Sequence, residues 1–214
     1  MSIAEKFETI ADRVYEKGKS DEHYNFWNVY QSNGKIISTG YTYAFYGHQW
    51  TDENYKPLYD IKVGSACNGI FLNSRITNTK VMIDISNSNI KVNTANMFEN
   101  ATKLSEIPLL KLKDDGSNNL NKNFNGCTAL TTINFEGKIG RNVSFADCPL
   151  SVESLKNIIE HLMDYSGTEN EFKYSVTFSS ACLTMLEALD PETDPSPNGN
   201  SWVQYLDDIG WTNL

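Results

Sequence analysis

The sequence predicts an α+β protein in which a short β-solenoid lies between an N-terminal helix and a C-terminal α/β cap. Two observations carry this prediction. Three segments headed by Phe98, Phe124 and Phe145 can be superimposed, and each Phe is followed three residues later by a small residue. Apolar stripes of helical spacing flank the repeats on both sides. A recurrence of about 20–30 residues with fixed apolar positions is the signature of repeats that stack and bury their apolar faces.

The first two copies stay in register beyond the Phe. Three pairs of apolar residues recur 26 residues apart, namely Leu104 with Leu130, Ile107 with Ile133, and Leu109 with Phe135. The third copy follows the second after 21 residues. A degenerate first repeat is predicted to begin near Phe71, so residues 71–150 form the predicted solenoid.

The first 32 residues are predicted to be a helical segment, with the helix over residues 3–30. Ile3, Phe7, Ile10 and Val14 have the spacing of a heptad seam. Two heptads are marginal as an isolated helix, so this seam needs a partner. It packs on the body of the chain as a cap, or on sister chains as a dimer or trimer stalk through residues 3–14; both alternatives stay open.

Residues 33–70 are predicted to form an aromatic-rich N-terminal cap. Seven aromatic residues lie close together there: Tyr41, Tyr43, Phe45, Tyr46, Trp50, Tyr55 and Tyr59. The first interpretation is that they seal the open end of the solenoid. An aromatic platform for sugar rings is the alternative.

Residues 151–214 are predicted to form a C-terminal helical cap. Ser151 is placed to cap a helix with a clear apolar stripe, and Ser179 is placed to cap a second helix. Between them, alternation from Phe172 to Phe178 predicts a strand. The last segment, from Trp202 to Trp211, is predicted to be a short helix and a tail that fold back on the body of the chain.

Charge and hydropathy restrict the partners. The 18 Lys and Arg against 27 Asp and Glu leave a net charge of −9, and phosphate contacts need a basic face. We therefore expect no nucleic-acid partner. No stretch approaches 18 apolar residues, so no membrane span is predicted. The start lacks the basic region of a signal peptide, which predicts cytoplasmic synthesis.

The sequence predicts no catalytic residue, cofactor or metal. Cys127 and Cys148 occupy the repeat position that Ala101 fills in the first copy, which favours small buried side chains in a ladder over a disulfide or a metal site. His48 and Asp52 belong to the one cluster that combines a base, carboxylates and aromatic rings. No nucleophile has the context that such chemistry requires.

The repeat unit Phe-x-x-Cys-x-x-Leu-x-x-Ile, at residues 124–133, resembles the BspA-type class of bacterial leucine-rich repeats. The fuller pattern is similar to leucine-rich repeat proteins encoded by phages and prophages of Gram-positive gut bacteria. Residues 3–11, 76–81, 133–140 and 154–162 carry that likeness, which covers most of the chain. The resemblance implies a short leucine-rich-repeat β-solenoid with a concave sheet and no accepted catalytic residues.

The first functional hypothesis is a non-enzymatic interaction module, a phage or prophage structural or host-recognition protein that binds a protein or glycan through the solenoid surface. Lys111, Lys113, Asn134 and Glu136 alternate with the apolar positions, so the pleat points them outward; they are the predicted binding residues. The alternatives are a cell-surface adhesin and a phage-encoded inhibitor of a bacterial protein. The expected location is accordingly the virion, with the cell surface as the alternative. The last hypothesis is an enzyme that hydrolyses a cell-wall glycan through His48 or Asp52.

Overall fold

The computed structural model describes residues 29–32, 35–40, 61–86 and 94–213. Nine strands and three helices lie in these ranges, and the strands form two sheets. The strands are β1 (Val29–Ser32), β2 (Lys35–Gly40), β3 (Ile61–Ala66), β4 (Ile83–Asp84), β5 (Glu106–Lys111), β6 (Thr132–Glu136), β7 (Val143–Phe145), β8 (Ser175–Phe178) and β9 (Thr212–Asn213). The helices are α1 (Val152–Glu160), α2 (Ser180–Glu187) and α3 (Trp202–Asp208).

The first sheet, sheet 1, contains β1 to β6 in sequence order. The β1–β2 pair is antiparallel, and every later pair is parallel. The register aligns one buried apolar residue from each of four strands, in the row Ile61, Ile83, Leu110 and Phe135. This row faces the core, so the residues next to it on each strand face outward.

The second sheet, sheet 2, contains β7, β8 and β9, all parallel. Helix α1 connects β7 to β8, and helices α2 and α3 connect β8 to β9. Sheet 2 therefore pairs a strand from the predicted solenoid, residues 71–150, with strands from the predicted C-terminal cap, residues 151–214. Alternation of helices with parallel strands is the pattern of an α/β fold.

The predicted fold class, an α+β leucine-rich-repeat β-solenoid with a helical start and an α/β cap, is wrong. The described part of the chain is an α/β fold of two small, mainly parallel sheets and three helices, in which no solenoid is identified. The structure first differs from the predicted solenoid at the third Phe copy, which contains Phe145. Its strand β7 pairs with β8 in sheet 2 and does not extend sheet 1.

Helix α1 ends sheet 1 because its side chains occupy the hydrogen-bonding edge of β6. The backbone N–H of Ile133 donates to Ser154 Oγ over 3.0 Å, and that of Phe135 donates to Asn157 Oδ1 over 2.7 Å. Both donors are thus satisfied without another strand. Unpaired edge donors invite further strand pairing, and here α1 removes that option.

A column of five phenylalanine rings runs through the core of both sheets. Phe71, Phe98, Phe124, Phe145 and Phe178 stack in succession, with ring centroids 5.7, 5.9, 4.6 and 6.0 Å apart. The first four are fully buried. The recurrence of Phe in the sequence therefore has a direct structural meaning, and Phe178 extends the column beyond the recognised repeats.

The backbone turns tightly around the first three phenylalanines of the column, and two positions in each of these turns have positive φ. The residues two before Phe71, Phe98 and Phe124 lie in the left-handed region, and so do the residues two after them: Gly69, Asn96 and Lys122, then Asn73, Asn100 and Gly126. Gly and Asn tolerate this conformation best. A Cβ on Gly126 would also lie 3.3 Å from Asn100 Cα.

A bulge in β5 corrects the 26-residue register predicted from the sequence. Phe135 pairs with Leu110, not with Leu109, because the register shifts between Ile107 and Leu110. Pro108 lies in the shifted stretch and has no N–H for the ladder. Leu110 is fully buried, whereas Leu109 is only half-buried.

Several local predictions for the C-terminal part are confirmed. Ser151 caps α1 and Ser179 caps α2, each hydroxyl accepting from a backbone N–H over 3.3 Å. The short last helix is α3. Cys127 and Cys148 are buried and free, as the ladder interpretation required, and Cys67 and Cys182 are buried and free as well. The strand predicted from Phe172 is wrong at its start, because β8 begins at Ser175 and Phe172 is exposed.

Some predictions fall on residues that the structure does not describe. The helix over residues 3–30 lies outside the described residues except for Val29 and Tyr30, which belong to β1. The aromatic-rich stretch between 41 and 59, with His48 and Asp52, also lies outside them. Among the helices of the described ranges, none is long enough and apolar enough to cross a bilayer.

Candidate interaction surface

A row of alternating charges crosses the outer face of sheet 1. Lys62, Asp84, Lys111 and Glu136 are aligned by the strand register, one on each strand from β3 to β6. Lys62 Nζ lies 3.2 Å from Asp84 Oδ2, and Lys111 forms an ion pair with Glu136. Opposite charges at directly opposed positions on neighbouring strands attract. The parallel register therefore builds a charged row from residues far apart in sequence.

Asp84 is the buried member of the row, with its side chain 2% exposed. Burial alone would raise its pKa, but Ser86 and Lys62 together outweigh that effect and hold the pKa below its usual value. The backbone N–H and the hydroxyl of Ser86 donate to Asp84 Oδ1 over 3.0 and 2.6 Å. Asp84 is therefore a carboxylate at neutral pH. Its negative charge holds the neighbouring Lys62 ammonium in place within the row.

An open groove of about 450 Å³ lies at the carboxyl ends of β4, β5 and β6. This is the end of a parallel sheet at which ligands of open α/β proteins usually bind. Charged and polar residues dominate its lining, which consists of Ser86, Lys111, Leu112, Lys113, Asp114, Asp115 and Glu136. The groove is therefore suited to an ionic, hydrated contact.

The structure brings three of the four predicted binding residues together in this groove. Lys111, Lys113 and Glu136 line it, and the hydrogen bond to Glu136 raises the pKa of Lys111. Lys113 forms no ion pair with any residue of the described ranges. Asn134 is exposed two residues before Glu136 on β6, but its side-chain amide donates to the Pro108 carbonyl over 3.1 Å. That contact gives the Pro108 carbonyl, in the bulged stretch of β5, a hydrogen-bond partner. Asn134 therefore has a structural role beside the groove.

Four of the seven residues that line the groove were not predicted from the sequence, namely Ser86, Leu112, Asp114 and Asp115. Asp114 and Asp115 precede Gly116 in a turn-forming segment, where solvated carboxylates are the ordinary expectation. Both acidic residues are exposed, and Ser117, through its side chain and its backbone N–H, lowers the pKa of Asp115. The sequence held a signal for the acidic pair, because Asp114 comes three residues after the end of β5, at the edge where parallel sheets place their ligands.

The described residues contain no group of three or more His, Cys, Asp or Glu side chains arranged to hold a metal ion. Burial raises the pKa of the thiols of Cys67, Cys127 and Cys148, so they are protonated at neutral pH. Compared with protein-family models, with curated proteins and with solved structures, the chain matches none of them.

Proposed function

We propose that this chain is a non-enzymatic interaction module that binds a protein or glycan partner through the groove and the outer face of sheet 1. The observation that carries the proposal is the clustering of Lys111, Lys113 and Glu136 with Asp114 and Asp115 in one open groove. These residues come from two different strands and the turn after one of them, so only the folded chain assembles them. The phage or prophage setting is part of the proposal and rests on the resemblance of the repeat unit alone.

The charge states of the groove support recognition. A general acid or base works best with a pKa near the operating pH, whereas the pKa of Asp115 is lowered and that of Lys111 is raised. Both groups therefore keep their charges across the neutral range. Fixed charges of both signs select a partner by complementarity and exclude partners of the wrong pattern.

The test is a comparison of two fourfold alanine variants in binding to a glycan array and to cells of Gram-positive bacteria. The groove variant changes the four predicted residues, Lys111→Ala, Lys113→Ala, Asn134→Ala and Glu136→Ala. The control changes four exposed residues elsewhere with the same loss of charge, Lys103→Ala, Arg141→Ala, Asn121→Ala and Glu187→Ala.

We expect the groove variant to lose at least about tenfold in affinity while the control binds like the parent chain. The control should unfold at a urea concentration close to that of the parent, because its changed side chains are exposed. The groove variant also loses the Lys111–Glu136 ion pair and the hydrogen bond from Asn134 to Pro108, so its midpoint should fall slightly, and binding is compared where both variants are fully folded. Equal binding by the groove variant and the parent would remove this face from consideration.

A further inference from the structure

Phe172 combines an exposed aromatic ring with an unfavourable backbone conformation. The residue is 54% exposed, and the other exposed large apolar residue of the described part is Met185, at 36%. A single exposed apolar residue is common on protein surfaces and needs no explanation by itself. The backbone makes this residue different.

The φ angle of Phe172 is +57°, in the left-handed region. Six described residues other than Gly have positive φ; three are Asn, two are Lys, and Phe172 is the one aromatic among them. For a bulky side chain this conformation is a true outlier. Gly or Asn would form the same turn with less strain, and more than half of the residue's surface stays exposed, so burial of the ring offsets that strain only in part. Folding alone therefore gives little reason for Phe at this position.

The surrounding chain holds the residue firmly in this conformation. The backbone N–H of Phe172 donates to the Gly210 carbonyl over 2.7 Å, and its carbonyl accepts from Thr212 Oγ1 over 3.4 Å. The rings of Tyr165, Tyr174 and Trp211 pack together in the same region, with centroids 5.3 to 6.3 Å apart. Because the backbone that carries the ring is already ordered, binding through the ring costs no further backbone entropy, which favours its use as an interface anchor.

The charges around Phe172 indicate the kind of partner. Asp164, Glu169 and Glu171 are exposed in the same loop, and Lys173 is the single basic residue there. The ammonium of Lys173 is already engaged, because it donates to Asn170 Oδ1 over 2.9 Å and lies 5.5 Å from the centre of the Tyr174 ring. Phe172 thus belongs to a loop with three exposed carboxylates and one engaged ammonium, on a chain of net charge −9. Complementarity requires a basic partner surface.

We propose that Phe172 anchors a second protein-binding surface, in which its ring enters an apolar pocket rimmed by Lys or Arg on a partner protein. An apolar centre with a charged rim is the usual anatomy of such an interface. The surface belongs to the loop between α1 and β8 and is separate in sequence from the groove of sheet 1. It therefore does not depend on the proposed function of the groove.

The first part of the test measures the free chain. Phe172→Gly and Phe172→Asn relieve the backbone strain, so each should raise the thermal midpoint of unfolding, for Gly by about 2–4 °C. Met185→Ala, which changes the other exposed apolar residue, should leave the midpoint close to that of the parent. A lower midpoint for both Phe172 variants would show that the ring is retained for packing, and would overturn the proposal.

The second part uses a library of random peptides displayed on phage, selected on the parent chain. We expect the selected peptides to be enriched in Arg or Lys next to apolar residues. They should lose at least about tenfold in affinity for Phe172→Ala and bind the fourfold groove variant unchanged. Peptides without basic enrichment, or peptides that bind Phe172→Ala like the parent, would overturn the proposal, whatever the outcome for the groove.

Discussion

At the scale of single residues, backbone conformation and burial decide what each side chain can do. Asn96 and Lys122 occupy the same position two residues before a stacked Phe, and both have positive φ. Asn tolerates the left-handed region, whereas an ordinary residue there costs about 1–2 kcal/mol. Lys122 is exposed, so no packing of its side chain offsets this cost.

Lys122→Asn should therefore raise the free energy of unfolding, by about 0.5–1 kcal/mol. Urea unfolding followed by fluorescence measures the change. Lys103→Asn is the matched control, because Lys103 is exposed but has no positive φ; it should bring no gain. A gain of the same size in both variants would mean that loss of charge is responsible.

The buried thiols predict a pH dependence with a definite sign. Burial raises the pKa of Cys127 to about 12 in the folded chain, against about 8.5 in an unfolded one. Above about pH 8.5 the unfolded state binds fewer protons than the folded state, so stability falls as pH rises. Each such thiol contributes a slope of up to about 1.4 kcal/mol per pH unit.

Free energies of unfolding measured in urea with a reductant, at neutral pH and at about pH 10, should show this loss. In Cys127→Ala one titrating thiol is gone, so the difference between the two pH values should shrink. If the loss of stability between the two pH values were the same in Cys127→Ala and in the parent, burial would not raise the pKa of Cys127 in the folded chain. Iodoacetamide should label the thiols of the unfolded chain and spare those of the folded one.

At the scale of elements, the junction of β6 and α1 decides where sheet 1 ends. The helix uses side-chain acceptors in place of the backbone carbonyls that another strand would offer, and the helix is itself fixed by its Ser151 cap. Loss of one such acceptor leaves an N–H group without its partner, which costs about 1–3 kcal/mol when the group is buried.

Asn157→Ala removes the acceptor of the Phe135 N–H and should destabilise the chain by about 1–3 kcal/mol. Asn157→Asp keeps an oxygen acceptor at the same place and should cost clearly less. Urea unfolding of the two variants and the parent gives the comparison. If both substitutions cost the same, or if the alanine variant is as stable as the parent, the Asn157 side chain is not the stabilising acceptor of the Phe135 N–H.

At the scale of the whole molecule, sheet 1 and sheet 2 are held together by close packing as well as by the phenylalanine column. Gly116 follows β5, and Gly140 lies between β6 and β7. A Cβ on Gly140 would lie 2.7 Å from the Gly116 carbonyl oxygen and 2.9 Å from Tyr165 Oη. Tyr165 also donates to the Gly140 carbonyl over 2.8 Å. Only a residue without a side chain fits this approach.

Gly140→Ala should therefore lower the free energy of unfolding by about 1–3 kcal/mol, because the added methyl group forces two backbone segments apart. Thermal and urea unfolding measure the loss. Gly167→Ala is a useful comparison, since a Cβ there would meet no atom within 4 Å and only the positive φ opposes it. If Gly140→Ala unfolded at the same midpoint as the parent, the close approach of the Gly140 and Gly116 backbones would be contradicted.

Much of the local structure could be predicted from the sequence, because it depends on residues close together in the chain. The recurring Phe, the small residue three positions later and the serine caps are local patterns, and the structure bears out each of them. Outward positions on the strands followed from alternation as well. Part of the groove, with Lys111, Lys113 and Glu136, was accessible in this way.

The tertiary structure alone decided the rest. Whether β7 extends sheet 1 or joins β8 depends on which partner satisfies the edge of β6, a competition between segments far apart in sequence. The bulge at Pro108 moved the pairing by one residue, and the exposed, strained state of Phe172 depends on hydrogen bonds to the end of the chain. Periodicity reports which side chains are buried, but only long-range backbone pairing determines which sheet receives them.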